Sequence, residues 1–305
     1  MQKTKINNPI FIVGVGRSGT SLLQSILNSH SDITFLPETQ FLRTYLFSNK
    51  EINISKSNYR DIIDTLTADQ RFNRLNIKAN QIIFQDKNMY DAYLNLLDLH
   101  LRNKQKQLIG DKDPKNIEYI HYLHKFFPKA KLIHIIRDPR DVVLSRIKAK
   151  WSKSVPYYIH AVIYVLQLKI GRSMGKKIFN KNYHELYYED LLINPEKTIR
   201  KIVKFIGVDY EEELLDYRKS SQELVSDDEL DWKKETFKPI INDNFNKWKN
   251  QLSKSQILII ESICHFSMKK LPYKRNSNIF LRVLLIFLFH PFIYIIDLIY
   301  RLRIK

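Results

Sequence analysis

The sequence predicts an α/β protein of the P-loop type, with three layers formed by a central, mostly parallel sheet and flanking helices, and with an apolar helical tail. Three observations support this class. Short apolar runs alternate with helical stretches, each run ends in a polar cluster, and the first run leads into a glycine loop. Because ligands of open α/β sheets bind beyond the carboxyl ends of the strands, we expect the polar clusters to share one crevice.

The first predicted strand, residues 9–13, leads into Gly14-Val15-Gly16-Arg17-Ser18-Gly19-Thr20-Ser21. This segment has the spacing of a phosphate-binding loop, including Ser21 at the hydroxyl position. Thr20 stands where such a loop carries the lysine that reaches a triphosphate, and the nearest cation is Arg17. Apolar residues at helical spacing follow, so the loop and the helix N-terminus form an anion site. We expect a phosphate-like ligand rather than a triphosphate awaiting hydrolysis.

Three further strands are predicted, and polar residues follow each of them. The strands cover residues 107–109, 131–136 and 184–188. The clusters that end them are Asp111-Lys112-Asp113-Pro114, Arg137-Asp138-Pro139-Arg140-Asp141 and Glu189-Asp190. Together with the glycine loop, four separated segments are therefore expected to share one site.

The remaining segments divide the chain into a main domain, residues 1–275, and a tail, residues 276–305. Residues 41–106 are polar and helical in tendency, which indicates an insertion that forms a lid on the acceptor side. Residues 215–245 are charged and lack periodicity, which predicts a mobile loop. Further helices are predicted at residues 155–175, 195–206 and 255–270.

The tail is strongly apolar from Ile279 to Tyr300. Four residues interrupt it: Arg282, His290, Pro291 and Asp297. The uninterrupted run is shorter than the roughly 20 residues that a spanning helix needs, and a basic segment suited to an anionic membrane surface follows it. We expect a monotopic or re-entrant anchor, with two alternatives: a helix packed on the body or on a partner in a homodimer, and a true span. The proline predicts a break into two short helices.

Charge and composition favour anionic partners and argue against several kinds of site. The 305 residues carry a formal net charge of +18, spread along the chain without a long basic block. Nucleic acid is therefore not expected, whereas a membrane surface or a phosphorylated cofactor is. The single cysteine, Cys264, excludes an intramolecular disulfide and thiolate clusters, and no metal site is expected. The first strand begins too early for a signal peptide, so we expect a cytoplasmic protein at the inner membrane face.

Two segments resemble a known family. Residues 9–23 (PIFIVGVGRSGTSLL) and 131–145 (KLIHIIRDPRDVVLS) are similar to the two cofactor signatures of sulfotransferases that use 3′-phosphoadenylyl sulfate (PAPS). Shorter similarities to the protein-tyrosine sulfotransferase-like branch and to related bacterial enzymes lie at residues 36–39, 110–114, 186–191 and 237–239. The likeness extends from about residue 8 to 273, in order and at compatible spacing.

The resemblance implies PAPS as co-substrate without a metal, and it implies two anion sites. The implied cofactor-binding residues are Arg17, Ser18, Gly19, Thr20 and Ser21 for the 5′-phosphosulfate, Arg137 and Ser145 for the 3′-phosphate, Tyr188 for the adenosine, and Lys238 on a cofactor-covering loop at 215–245. Ser226 is a further candidate on that loop. For Arg137, an ion pair with Asp138 or Asp141 is the structural alternative.

Three catalytic residues are also implied by the resemblance. The acceptor hydroxyl must lose its proton as the sulfuryl group arrives, and Glu38 matches the general base of the tyrosine sulfotransferase branch. Arg17 and Lys112 match cations that stabilise the transition state, with pairing of Lys112 to Asp111 or Asp113 as the alternative.

The implied reaction is in-line sulfuryl transfer to an acceptor hydroxyl. The tyrosine sulfotransferases carry an N-terminal anchor and paired cysteines, neither of which is expected here. A saccharide, lipid or small-metabolite hydroxyl is therefore expected over protein tyrosine. Two alternatives stay open, namely a P-loop kinase with a displaced lysine and a non-catalytic, membrane-attached anion-binding protein.

Overall fold

The computed structural model describes residues 6, 8–47, 59–69, 72, 74–75, 77–78, 81, 88–225, 234–240 and 244–304. Within them, five strands form one sheet in the order β2-β3-β1-β4-β5. The strands are β1 Ile10–Gly14, β2 Ile33–Phe35, β3 Leu108–Lys112, β4 Lys131–Ile136 and β5 Tyr183–Tyr187. Every neighbouring pair is parallel, which confirms the predicted α/β class.

Helices connect and flank these strands. The α-helices of the described residues are α1 Thr20–Asn28, α2 Tyr59–Ala68, α3 Met89–Lys104, α4 Ile120–Phe126, α5 Pro139–Ile147, α6 Tyr157–Met174, α7 Tyr188–Ile193, α8 Pro195–Ile206, α9 Arg218–Leu224, α10 Trp248–Gln251, α11 Lys254–Ile263, α12 His265–Lys269 and α13 Ile279–Ile304. Shorter 3₁₀ or π-helical turns lie at Leu42–Leu46, Pro114–Tyr119, Lys150–Ser152, Gly175–Phe179, Asn180–Asn182, Glu212–Leu215 and Lys234–Phe237.

Apolar cores cover both faces of the sheet. Alternate side chains of a strand point to opposite faces, and in β1 Phe11 and Val13 pack into a core with residues of α3 and α4. Ile10 and Ile12 pack into a second core with residues of α1 and α8. The sheet is thus the middle of three layers, as the sequence predicts.

The connections open a crevice between two neighbouring strands. β1 and β4 lie side by side, with Gly14 of β1 paired to Ile135 of β4. The chain leaves β1 toward β2 on one side of the sheet and leaves β4 toward β5 on the other. Such a reversal separates the two loops and creates the place where open α/β sheets bind ligands. Helix α5 begins directly after β4 because the Asp138 side chain accepts a hydrogen bond from the Arg140 backbone N–H and Pro139 follows as first helical residue.

The tail forms one continuous helix, α13, so the predicted break at Pro291 is wrong. A proline removes one backbone hydrogen bond from a helix, but contacts on both sides of this proline hold the two halves in line. His290 hydrogen-bonds to the Ser262 carbonyl oxygen at 3.0 Å, and Asp297 pairs with Lys169 at 2.7 Å. Among the described residues, the segment Ile279–Leu302 is long and apolar enough to cross a membrane.

Three other local expectations differ from the structure. The short strand β2 was not predicted, and β5 ends one residue early, so that Tyr188 begins helix α7. Part of the segment 215–245 is helix α9 rather than a loop. It is held to α1 by a hydrogen bond from Asn28 Nδ2 to Ser220 Oγ of 2.8 Å. Ser226 lies outside the described residues.

Candidate active site

The glycine loop between β1 and α1 has a backbone that requires glycine at one position. Gly19 has φ of 95° and precedes α1, whose N-terminus has no side-chain cap. A Cβ at Gly19 would lie 2.3 Å from Cδ2 of Tyr188, so no larger residue fits. The loop therefore turns tightly under the Tyr188 ring and presents the uncapped N–H groups of α1, which favour an anion.

A cleft of about 1590 Å³ lies at the carboxyl ends of the strands. A residue that follows each strand lines it: Arg17 after β1, Glu38 after β2, Asp113 after β3, Arg137 after β4 and Tyr188 after β5. The predicted convergence of separated segments is thus seen in the structure.

Two guanidinium groups lie beside each other in this cleft. Arg137 donates to the backbone oxygen of Arg17 at 3.1 Å, and its guanidinium carbon lies 4.3 Å from the centre of the Tyr188 ring. Arg17 in turn donates from Nε to Ser145 Oγ at 3.0 Å. Burial, and then the positive charge of Arg137, lower the pKa of Arg17 to about 10. Arg17 stays protonated near neutral pH, and its juxtaposition with the Arg137 guanidinium favours an anionic ligand between them.

The acidic neighbours of Arg137 are engaged elsewhere. Asp138 pairs with Arg140 at 2.6 Å, and Asp141 accepts two backbone N–H bonds from the start of α10. None of the described carboxylates forms an ion pair with Arg137, whose Nε is buried without a hydrogen-bond partner. Burial raises the pKa of Asp141 and the charge of Arg137 opposes that rise, so the two groups interact without a direct ion pair.

Glu38 and Lys112 meet across the ends of β2 and β3. Lys112 is 1% exposed and its Nζ forms an ion pair with Glu38 Oε2. The Glu38 side chain is 17% exposed and lines the cleft, whereas Lys112 lies beneath the lining. The pair therefore presents a carboxylate to the cleft with a buried ammonium behind it.

Two further carboxyl groups surround this pair. Asp111 accepts a hydrogen bond of 2.7 Å from the Tyr93 hydroxyl, and Asp113 accepts one of 2.6 Å from Arg43 Nε. Burial raises the pKa of Asp111 to about 7, and the nearby Asp113 and Glu38 add to this effect. Burial, followed by the charge of Glu38, also raises the pKa of Asp113. The carboxyl end of β3 is thus crowded with acidic groups around one buried cation.

The other sequence-predicted residues lie at different depths. Thr20 and Ser21 line the cleft, and Ser145 lines it beside Arg17. Ser18 is fully buried, and its Oγ has no hydrogen-bond partner among the described residues. Lys238 is exposed and does not line the cleft, although Pro239 and Ile240 do.

Sequence reasoning missed Asn244, which links two site residues. Its Nδ2 donates to the Tyr188 hydroxyl at 2.9 Å, and its backbone oxygen accepts from Arg137 at 2.9 Å. No local pattern distinguishes this asparagine from the other polar residues of its segment, so only the fold reveals it. Arg43 and Arg146 also line the cleft without having been predicted.

One part of the cleft lining is rich in aromatic side chains. We call it the aromatic end and define it by Phe47, Tyr119, Tyr122, Trp151 and Tyr300, all of which line the cleft. The Phe47 ring stacks on Tyr119 and Tyr122 at centroid distances of 5.4 and 5.3 Å. This wall is suited to an apolar or aromatic portion of a ligand.

The described residues contain no group of three His, Cys, Asp or Glu side chains placed to hold a metal ion. Cys264 is buried, and burial raises the pKa of its thiol. The thiol is therefore protonated at neutral pH and has no thiolate chemistry to offer.

The fold and the cleft define a P-loop-type α/β protein with a cleft at the switch point of its sheet that two arginine side chains line. Residues 9–212 match the profile of the sulfotransferase family, and the chain belongs to that family. The resemblance noted in the sequence is thereby confirmed at the level of the family.

Individual relatives agree with this assignment. Protein-tyrosine sulfotransferase 2 of Gallus gallus is 26% identical over 223 residues, covering 68% of this chain and 53% of the relative. Omega-hydroxy-beta-dihydromenaquinone-9 sulfotransferase Stf3 of Mycobacterium bovis is 28% identical over 246 residues, covering 66% of this chain and 63% of the relative. The chain thus spans about half the length of the first of these relatives and under two thirds of the second.

A solved structure shares the fold. The sulfotransferase domain of the Synechococcus PCC 7002 olefin synthase superposes with a TM-score of 0.57 at 24% identity, covering 86% of this chain and 98% of that domain.

Proposed function

We propose that this chain transfers a sulfuryl group from PAPS to an acceptor hydroxyl. The observation that carries the proposal is the pair of guanidinium groups, Arg17 and Arg137, placed at the ends of β1 and β4 beside the uncapped N-terminus of α1. PAPS has an anionic group at each of two positions on one ribose, and two cations facing one crevice match that distribution. Family membership supports the sulfuryl chemistry itself.

The residues of the cleft fit such a cofactor. Gly19 has no side chain between the loop and the cleft, and the N–H groups at the start of α1 are available to a 5′-phosphosulfate. Arg137 has a buried Nε without a partner, and it would bind the 3′-phosphate together with Ser145. Tyr188, which stacks under Arg137, is placed to contact the adenosine.

Arg17 is the group that we expect to stabilise the departing phosphate. When bound, PAPS supplies a sulfuryl group whose transfer leaves negative charge on the 5′-phosphate oxygen. A guanidinium held at that end of the cleft by Ser145 counters this charge without having to reorganise. Its lowered pKa, about 10, still leaves it protonated at neutral pH.

Glu38 is the proposed general base, and its ion pair with Lys112 gives both residues a role. The Glu38 carboxylate takes the proton of the acceptor hydroxyl as the new bond to sulfur forms. Protonation removes the negative partner of Lys112, whose ammonium then stabilises the negative oxygens of the transferring group. The same proton transfer thus deprotonates the acceptor and makes the Lys112 ammonium available to the transferring group.

We favour a hydroxyl on a saccharide, lipid or small metabolite over protein tyrosine as the acceptor. We also propose that α13 attaches the protein to the inner face of a membrane, because this helix is apolar and carries Arg301 and Arg303 near its C-terminal end. The main domain, residues 1–275, carries the proposed catalytic residues, and Tyr300 of the tail adds to the lining of the cleft.

Calorimetry with 3′,5′-adenosine bisphosphate, the product of PAPS, tests the proposal. We expect binding in the presence of EDTA. We expect Arg137→Ala to weaken it at least tenfold, or by about 1.4 kcal/mol. Arg200→Ala is the matched control, because Arg200 lies outside the cleft and pairs with Glu196 on the surface of α8. Binding of ATP with Mg²⁺ but not of the bisphosphate would instead establish the kinase alternative.

A further inference from the structure

Polar side chains of helix α13 contact the body of the protein along most of the length of the helix. Arg282 pairs with Glu261 of α11 at 3.4 Å near the start of the helix, and Asp297 pairs with Lys169 near its end. The Tyr300 side chain lies close to Glu118 in the last turns, where burial and then the charge of Glu118 raise the pKa of its hydroxyl. From residue 282 to residue 300 the helix extends about 27 Å at its rise of ~1.5 Å per residue. A helix packed in this way lies along the protein.

The opposite face of α13 is apolar and exposed. Phe280 is 81% exposed and Phe287 is 76% exposed, and apolar neighbours extend this face to Leu302. Water-soluble surfaces rarely expose an apolar patch of this length, because each large side chain loses its favourable burial. The face is therefore suited to an apolar medium.

Charge identifies that medium as the surface of an anionic membrane. The only acidic residue of α13, Asp297, is buried against Lys169 and Arg301, so the exposed face carries no negative charge. The exposed Lys269 and Lys270 end helix α12, which contacts α13 through the ring of Phe266. Basic side chains beside an apolar face match anionic headgroups over acyl chains, whereas two copies of this face would bring like charges together.

The same helix ends at the cleft. Tyr300 lines the aromatic end, close to Glu118 and Gln167, which also line the cleft. The Trp151 ring at this end is 53% exposed, and the exposed side chains of Lys148 and Lys150 flank the opening. Helix α13 therefore borders the aromatic end of the cleft through Tyr300.

We infer that the acceptor is a membrane-resident amphiphilic alcohol that enters from the bilayer through the aromatic end. This inference rests on the proposed sulfuryl transfer and narrows its substrate class. The hydroxyl of the acceptor reaches Glu38, its apolar part lies against Phe47, Tyr119 and Tyr122, and the remainder stays in the bilayer. Transfer breaks the bond between sulfur and the phosphate oxygen and forms a bond from sulfur to the acceptor oxygen, while the hydroxyl proton passes to Glu38.

Transfer of radiolabelled sulfate from PAPS to fractionated cell extract tests this inference. The lipid fraction of the cells that make the protein is presented either in phosphatidylglycerol vesicles or in detergent micelles, and the aqueous fraction is presented in buffer. We expect at least ten times more label in the lipid fraction than in the aqueous fraction. The double variant Phe280→Ser/Phe287→Ser should lower transfer to vesicles at least tenfold. It should leave transfer in micelles and binding of adenosine bisphosphate unchanged.

Ile193→Ser is the matched control, because Ile193 is an exposed apolar residue that does not line the cleft. Label confined to the aqueous fraction, or vesicle transfer that the double variant leaves intact, overturns the inference while the sulfuryl transfer stands. Binding of the bisphosphate without label in either fraction also overturns it. If the bisphosphate does not bind either, the proposed function itself fails.

A second measurement is independent of the acceptor. Lipids brominated in their acyl chains should quench the fluorescence of Trp151. The contribution of Trp151 is obtained by subtracting the fluorescence of the Trp151→Phe variant from that of the unmodified chain. Absence of this quenching in vesicles that bind the protein would show that the aromatic end faces away from the bilayer.

Discussion

At the scale of residues, the proposed roles of Glu38 and Lys112 depend on the ion pair between them. A carboxylate in a loop and a lysine at a strand end are individually common, but here the ion pair holds the carboxylate at the cleft and keeps the cation buried behind it. The sequence could point to each residue through the family resemblance. It could not predict the pair, because the contact depends on β2 and β3 being neighbours.

Replacing Glu38 by glutamine tests the assignment of the base. We expect Glu38→Gln to lower turnover by a factor on the order of 10² or more, since an amide cannot accept the proton. Affinity for adenosine bisphosphate should stay unchanged in calorimetry. Glu196→Gln, on the surface of α8 and outside the cleft, is the control and should retain full activity. Normal turnover in Glu38→Gln would remove this residue from the chemistry.

Asp111 makes the stability of the protein depend on pH. Burial raises its pKa to about 7, so the folded protein holds a proton there between about pH 4 and 7 that the unfolded chain releases. Stability from this proton is therefore lost as pH rises toward 7 and beyond. Relative to wild type, Asp111→Asn should gain on the order of 2 kcal/mol in unfolding free energy between pH 5.5 and pH 8. Urea unfolding at both pH values measures this, and a difference independent of pH would contradict the raised pKa.

At the scale of elements, the turn from β1 to α1 depends on one glycine. Gly19 combines a left-handed backbone with a close approach to the Tyr188 ring, whereas a Cβ at Gly16 would meet no heavy atom within 4 Å. The two glycines thus provide a matched pair within one loop. Comparing substitutions at these two positions distinguishes a specific need for space at Gly19 from a general sensitivity of the loop to substitution.

Gly19→Ala should disrupt the anion site, and Gly16→Ala should not. In Gly19→Ala the new Cβ clashes with Tyr188 and the positive φ is strained, which costs about 1–3 kcal/mol. We expect a lower urea midpoint and at least tenfold weaker binding of adenosine bisphosphate. Gly16→Ala should match wild type in both measurements. Equal effects of the two substitutions would show that the turn does not shape the site as described.

The sequence predicted some elements better than others for physical reasons. β1 and β4 are buried apolar runs that end in polar residues, so their pattern is local and visible. β2 has only three residues, too few to show a period. The continuity of α13 through Pro291 depends on contacts with the body, as does the role of Asn244 beside Tyr188. Features that depend on distant neighbours cannot be read from local pattern.

At the scale of the whole molecule, the tail and the cofactor crevice share buried charges. Glu261 of α11 is fully buried and accepts hydrogen bonds from Arg140 of α5 and from the Ser277 backbone and side chain before α13. Burial alone would raise the pKa of Glu261, but the hydrogen bonds from Ser277 hold it below its ordinary value. The segment that leads into α13 is therefore fixed to α5, the helix that follows Arg137, in one connected body.

The most direct test of the account is sulfuryl transfer itself, measured with radiolabelled PAPS and cell extract in the presence of EDTA. We predict that label passes to an acceptor hydroxyl with release of one adenosine bisphosphate for each transfer, and that Arg137→Ala and Glu38→Gln each abolish most of it. Failure of the label to reach any acceptor, together with phosphate transfer from ATP in the presence of Mg²⁺, would contradict the account.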